Sequence, residues 1–174
     1  MRGRLIAIAG PSGSGKDTLI SGLKNKIKAH FPTRFITRER FPNDEKYISV
    51  SKKEFQHLIN TNHFAFHWSA HDLSYGIPKT INQFLSEGKN VIFNCSRASL
   101  SEISKKYLNL ESIIITAPPE ILKMRLLIRG RENTREISRR VKRNIDIELP
   151  NLITIDNSKS IEEGLSKLLK AINP

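Results

Sequence analysis

Hydrophobic positions in this chain fall into short runs divided by segments with helical spacing. The run at 5–9 (LIAIA) has the length of a buried strand and leads directly into a glycine-rich turn. Beyond it, Leu19, Ile20, Leu23 and Ile27 recur at helical intervals with lysines between them, which predicts an amphipathic helix. Apolar runs at 90–94 (NVIFN), 112–117 (SIIITA) and 152–156 (LITID) predict three more strands. Ser51 with Glu54, Ser99 with Glu102 and Ser160 with Glu163 have the spacing of capping boxes and mark three helix starts. Short apolar strands separated by helices imply an α/β fold, a parallel sheet flanked by helices on both faces.

Two stretches depart from this rhythm. Residues 38–87 are richer in aromatic and polar groups and predict an inserted subdomain. Residues 130–144 are rich in arginine, nearly free of large apolar side chains, and predict a mobile lid. The remaining segments, 1–37, 88–129 and 145–174, form the core of a single domain, with no internal repeat or dividing linker. Within the insertion, His63, His67 and His71 are four apart, as a helical metal site would need. Phe64, Phe66, Trp68 and Ala70 alternate with polar His67 and Ser69, however, so a strand with one buried and one polar face explains the stretch better.

Composition narrows the class without naming a partner. A chain of 174 residues, 38% hydrophobic and 26% charged, suits one soluble domain with a sizeable core. The early apolar run is too short for a secretory leader and far too short to span a membrane. The single cysteine, Cys95, excludes an internal disulfide framework and reads as a small core residue; a reducing cytoplasm is expected. The net charge of +12 points to an anionic partner, nucleic acid or a phosphorylated small molecule.

The placement of the charge is more informative. Seven arginines (125, 129, 131, 135, 139, 140 and 143) and one lysine, Lys142, lie between 125 and 143, whereas the rest of the chain carries six arginines and fifteen lysines. A solvated helix face has no need to prefer arginine. A site that grips phosphate oxygens does, because the guanidinium fork donates two parallel hydrogen bonds. The concentration in one segment, without a recognisable nucleic-acid motif, disfavours nucleic acid.

Residues 10–19 (GPSGSGKDTL) stand between the first strand and the first helix, where a glycine loop turns successive N–H groups towards a phosphate and the helix adds its dipole. Gly10, Gly13 and Gly15 allow close backbone approach, Pro11, Ser12 and Ser14 complete the loop, and Lys16 neutralises phosphate charge. The usual Ser or Thr after the lysine is replaced by Asp17, with Thr18 one place later. Asp17 either faces the shell of a magnesium ion, directly or through water, while Thr18 contacts phosphate, or simply occupies a first helical turn where an acid is favoured. The sequence leaves both readings open.

Five short motifs recur in order along the chain: GPSGSGKD at 10–17, ITR at 36–38, W-x-A-x-x-L-x-Y-G at 68–76, N-x-S-R-A at 94–98 and RGREN-x-x-E-I at 129–137. With these the chain resembles, over nearly its whole length, the guanylate-kinase-like branch of P-loop kinases, and within it the ribose 1,5-bisphosphate phosphokinase family. The resemblance implies a P-loop kinase fold with an acceptor-binding insertion at 38–87, and transfer of the ATP γ-phosphoryl group to the 1-phosphate of ribose 1,5-bisphosphate, with Mg2+. It implies that Arg38 and Tyr47 hold acceptor phosphate, that Tyr75, Asn94, Arg97 and Arg135 line the substrate site, and that Arg129 joins the ATP site. Lys16, Arg131 and Arg140 would act on the transferring group. Small-molecule substrates, no nucleic acid, no membrane and a monomeric or homodimeric state are expected.

Where guanylate kinases place a Glu and a Ser that read guanine, this chain has Phe66 and Ile77, and their acidic strand-end motif becomes FNCS at 93–96. Losing those carboxylates removes the partners of the guanine N–H groups, which argues against GMP as acceptor. A nucleoside monophosphate kinase, a silent guanylate-kinase-like binding module and a nucleic-acid-binding protein remain as alternatives; the intact Lys16 and glycines weigh against the silent module. Asp156-Asn157 stand where such a fold contacts adenine, or else form a plain helix-entry turn.

Overall fold

The run at 5–9 is strand β1 (Leu5–Ala9), buried at every position. With β6 (Val91–Asn94), β7 (Leu110–Thr116) and β8 (Ile153–Asp156) it makes a four-stranded sheet of order β6-β1-β7-β8. A computed structural model describes the chain except residues 1, 40–45, 71, 131–132, 143–148, 151 and 174 and the side chain of Lys142. Strands β7 and β8 run parallel, Ile113 opposite Ile153 and Thr116 opposite Asp156. The helices are α1 (Lys16–Lys24), α2 (Lys52–Asn60), α3 (Ile81–Ser86), α4 (Leu100–Lys106), α5 (Pro119–Arg129), α6 (Thr134–Lys142) and α7 (Ile161–Ile172). This is the expected parallel sheet flanked by helices, and its order places β1 between two neighbours, which explains its wholly apolar sequence.

A second sheet, of order β3-β2-β5-β4, is built from β2 (Phe35–Ile36), β3 (Ile48–Ser49), β4 (Phe64–Ala70) and β5 (Leu73–Pro78). Strands β4 and β5 form an antiparallel pair with Phe66 opposite Ile77 and Trp68 opposite Tyr75. The alternation read in this stretch holds from Phe66 to Ser69, where Phe66 and Trp68 are buried while His67 and Ser69 are exposed; it fails at Ala65, buried beside Phe64 where the register shifts. His71 lies outside the described residues. Backbone contacts divide the chain into two compact units, Met1–Leu5 with Lys28–Phe93 and Ile6–Ile27 with Asn94–Pro174. The first unit carries the second sheet with α2 and α3; the second carries β7, β8 and the helices α1 and α4 to α7.

Helix boundaries test the local signals. Ser51 and Glu54 form the full reciprocal capping box, and Ser160 accepts from the Glu163 N–H. Ser99 does not cap α4: it already has helical backbone angles, because the chain enters a 3-10 turn at Arg97–Ser99 capped by Ser96. The buried Ser99 hydroxyl donates instead to the Ser96 carbonyl at 2.8 Å. Helix α1 stops at Lys24, leaving Ile27 beyond its end. In the arginine-rich segment, α6 opens with an unforeseen reciprocal pair: Asn133 N–H donates to Glu136 Oε2 at 3.0 Å, and Glu136 N–H to Asn133 Oδ1 at 2.9 Å. Ile137 is its buried apolar residue. Among the described residues no helix is long and apolar enough to cross a membrane.

Candidate active site

The loop between β1 and α1 takes its shape from its glycines. Gly13 and Gly15 have φ of 85° and 83°, the left-handed region that side-chain-bearing residues rarely adopt. A Cβ on Gly10 would lie 2.2 Å from the Ile115 carbonyl oxygen, so β7 approaches too closely for any side chain there. Ser14 is fully buried, and its N–H turns back to the Pro11 carbonyl at 3.3 Å. Gly15 caps α1, and Lys16 is its first residue, half-buried. The N–H groups of the first turn, with the lysine beside them, are the donor set that a polyphosphate requires.

The loop is braced from the far end of the chain. Asn157, 4% exposed, donates from Nδ2 to the Ser14 carbonyl at 2.8 Å. Its own N–H donates to the Thr116 carbonyl at 2.8 Å, and Arg125 Nη2 donates to its carbonyl at 2.8 Å. Ser14 Oγ, Arg125 Nη1 and Asn157 Oδ1 are buried there without a hydrogen-bond partner among the described residues. Neither Arg125 nor Asn157 stood out as a loop support in the sequence. A polar Asn directly after an apolar strand was the one local sign, and it is equally the sign of an ordinary turn.

Asp17 and Thr18 are exposed in the first turn of α1. Asn94, the last residue of β6, is 5% exposed and donates from Nδ2 to Asp17 Oδ1 at 2.9 Å. The carboxylate beside the phosphate loop is therefore held by the strand end. An exposed carboxylate with one oxygen fixed in this way is a hard oxygen donor of the kind that suits Mg2+. Arg97 is half-buried in the 3-10 turn that follows β6.

In the other unit, Arg38 and Tyr47 come together. Arg38 Nε donates to the Tyr47 hydroxyl at 3.2 Å, and its guanidinium carbon lies 5.1 Å from the ring centroid. The Tyr47 ring is buried and its hydroxyl donates to the Glu39 carbonyl at 2.7 Å. Thr37 Oγ1 accepts from the Ser74 N–H at 2.8 Å, prolonging the β2–β5 pairing to the edge of this cluster. Tyr75 is half-buried and stacks on Trp68, centroids 5.4 Å apart and planes 7° from parallel. Arg40 lies outside the described residues.

The arginines of the segment expected to form a lid divide. Arg129 ends α5, exposed, before Gly130 closes the helix at φ 65°. Arg135 is exposed and Arg140 half-buried on α6. Arg131 and Arg143 lie outside the described residues.

The guanylate kinase family model matches residues 2–173. A ribose 1,5-bisphosphate phosphokinase from Brucella melitensis is 37% identical over 92% of this chain and 86% of its own. One of the same name from Azotobacter vinelandii is 37% identical over 99% of this chain and 97% of its own. Among solved structures, guanylate kinase from Anaplasma phagocytophilum superposes with a TM-score of 0.70 at 18% identity, covering 99% of this chain and 85% of that one. That likeness establishes the fold, and the family follows from the closer relatives. The chain belongs to the guanylate kinase family, in its ribose 1,5-bisphosphate phosphokinase branch.

Proposed function

We propose that this protein is an ATP-dependent kinase that phosphorylates the 1-phosphate of ribose 1,5-bisphosphate, giving 5-phosphoribosyl 1-diphosphate and ADP, a step of phosphonate catabolism. The observation that carries the choice of acceptor is the pairing of Phe66 with Ile77, 6% and 0% exposed. Where a guanine reader needs a carboxylate and a hydroxyl, these positions are apolar core. Relatives named for this reaction over nearly the whole chain support the same reading.

The chemistry asks little of the protein beyond position and charge. An oxygen of the 1-phosphate, already anionic near neutral pH, attacks the γ-phosphorus; the bond from that phosphorus to the β-bridging oxygen breaks, and the electron pair leaves with ADP. No general base is needed, so the rate comes from orienting two polyanions and offsetting their repulsion. The loop amides and Lys16 hold the donor phosphates, and Arg125 Nη1, buried beside the loop without a hydrogen-bond partner among the described residues, is a further donor. Arg38, held by Tyr47, takes acceptor phosphate, with Tyr75, Arg97 and Arg135 on the substrate side. Arg129, Arg131 and Arg140 offset charge on the transferring group and its nucleotide. Mg2+, when bound, neutralises phosphate charge, and Asp17 is the residue that would hold it.

The deciding experiment offers ribose 1,5-bisphosphate, GMP or neither with ATP and Mg2+, and follows ADP and the phosphorylated product. Sugar turnover far above GMP turnover is expected; the reverse order overturns the assignment. An Asp17→Asn variant whose turnover keeps the magnesium dependence of the parent would remove Asp17 from the metal.

A further inference from the structure

Asn94 and Asp17 form a pair whose chemistry is exchanged relative to the ordinary phosphate-loop arrangement. In that arrangement a neutral hydroxyl follows the loop lysine, a carboxylate stands on a neighbouring strand, and both serve magnesium. Here the carboxylate follows Lys16 and a neutral amide ends β6. The pair still contains one carboxylate and one neutral hydrogen-bond donor, joined at 2.9 Å, so the local charge is the same while the donor and acceptor have changed places.

Electrostatics couples the two changes. A carboxylate directly after Lys16 is repelled by a bound polyphosphate unless a cation lies between them. A second carboxylate at Asn94 would stand within hydrogen-bond distance of Asp17 and oppose its ionisation. A buried amide fixed by the sheet does the opposite: it donates to one carboxylate oxygen, limits the rotation of the side chain and adds no charge.

We propose that Asn94 is a positioning residue for the metal, holding the Asp17 carboxylate in its metal-facing orientation as the strand half of a role-exchanged pair. The inference rests on the reading of this chain as a kinase with Asp17 on magnesium, and it concerns metal binding, not the choice of acceptor.

The test measures Mn2+ binding to the protein–ADP complex by electron paramagnetic resonance, and metal-free ADP binding in chelator, for the parent, Asn94→Ala, Asp17→Ser and the exchange variant Asp17→Ser/Asn94→Asp. Melting curves establish that each is folded. Asn94→Ala is expected to weaken Mn2+ binding by about 10–100-fold, with metal-free ADP affinity unchanged. The exchange variant is expected to bind Mn2+ well above Asp17→Ser. Parental Mn2+ affinity in Asn94→Ala overturns the proposal, as does an equal loss of metal-free ADP affinity, which would make Asn94 a support for the loop alone. If Asn94→Ala does not fold, the exposed Asp17→Ser and the exchange variant carry the comparison, and equal affinities overturn the proposal. Absence of ribose 1,5-bisphosphate turnover alongside the expected Mn2+ results would defeat the acceptor assignment and leave this inference standing.

Discussion

Arg38 Nε donates to the Tyr47 hydroxyl at 3.2 Å, and the same hydroxyl donates onward to the Glu39 carbonyl at 2.7 Å. The guanidinium is thus restrained by a buried ring. Tyr47→Phe keeps the ring but removes the acceptor of Nε. If Arg38 holds acceptor phosphate, KM for ribose 1,5-bisphosphate should rise by about 3–10-fold, corresponding to about 0.5–1.5 kcal/mol, with KM for ATP unchanged. Steady-state kinetics with each substrate varied in turn checks this; a rise confined to ATP would take the pair off the acceptor side.

Lys16→Ala should lower kcat by at least about 10²–10³-fold, the scale for removing one preorganised charge donor at a developing anion. The side chain is half-buried at the start of α1, so the melting temperature should barely move. Near-normal turnover in the folded variant would remove the phosphate loop from the mechanism.

Asn157→Ala should loosen the phosphate loop by leaving the Ser14 carbonyl without its buried donor. The expected cost is about 1–3 kcal/mol. At about 2–4 °C per kcal/mol for a chain of this size, calorimetry should show the melting point several degrees lower. ATP affinity should fall with it, and an unchanged affinity would show that the loop keeps its shape without the brace.

A Cβ on Gly76 would lie 2.5–2.7 Å from three atoms of the Phe64 ring. Gly76→Ala should therefore destabilise by about 1–3 kcal/mol through overpacking. Pairing it with Phe64→Leu should recover part of that loss, and a double-mutant cycle by denaturant unfolding measures the coupling. Simple additivity of the two changes would contradict the clash.

His30 stacks on Phe84, centroids 3.7 Å apart, and burial followed by the charge of Lys89 lowers its pKa below the ordinary 6.5. The unfolded chain then takes up this proton first as pH falls. Neutral His30 contributes stability that is present above about pH 6.5 and lost as pH drops towards the depressed folded value. His30→Phe keeps the stack without the titration, and should flatten that portion of a plot of stability against pH. An identical slope in the variant would assign the pH dependence elsewhere.

Much of the fold is legible locally. The apolar run at 5–9, the glycines at 10, 13 and 15 and the box at Ser51–Glu54 each state their structure in a few adjacent residues, and each forms as expected. The same logic fails at Ser99, where the chain enters its helix three residues early and a correctly spaced box has no free helix end to cap. In the candidate site, the loop motif draws attention to Asp17 and the family resemblance to Asn94, with no sign that they touch.

Periodicity and turn chemistry determined the class of fold and the glycine loop, and the resemblance carried by five short motifs the branch of the family, because each depends on neighbours in the chain. Tertiary structure alone decided which polar groups far apart in the chain hold each other. Asn94 and Asp17 are 77 residues apart and Asn157 and Ser14 are 143 apart, and both pairs meet because the strands order as β6-β1-β7-β8 around the loop that follows β1. Buried polar groups must find partners, but the sequence does not say which, since any donor brought near by the sheet would serve.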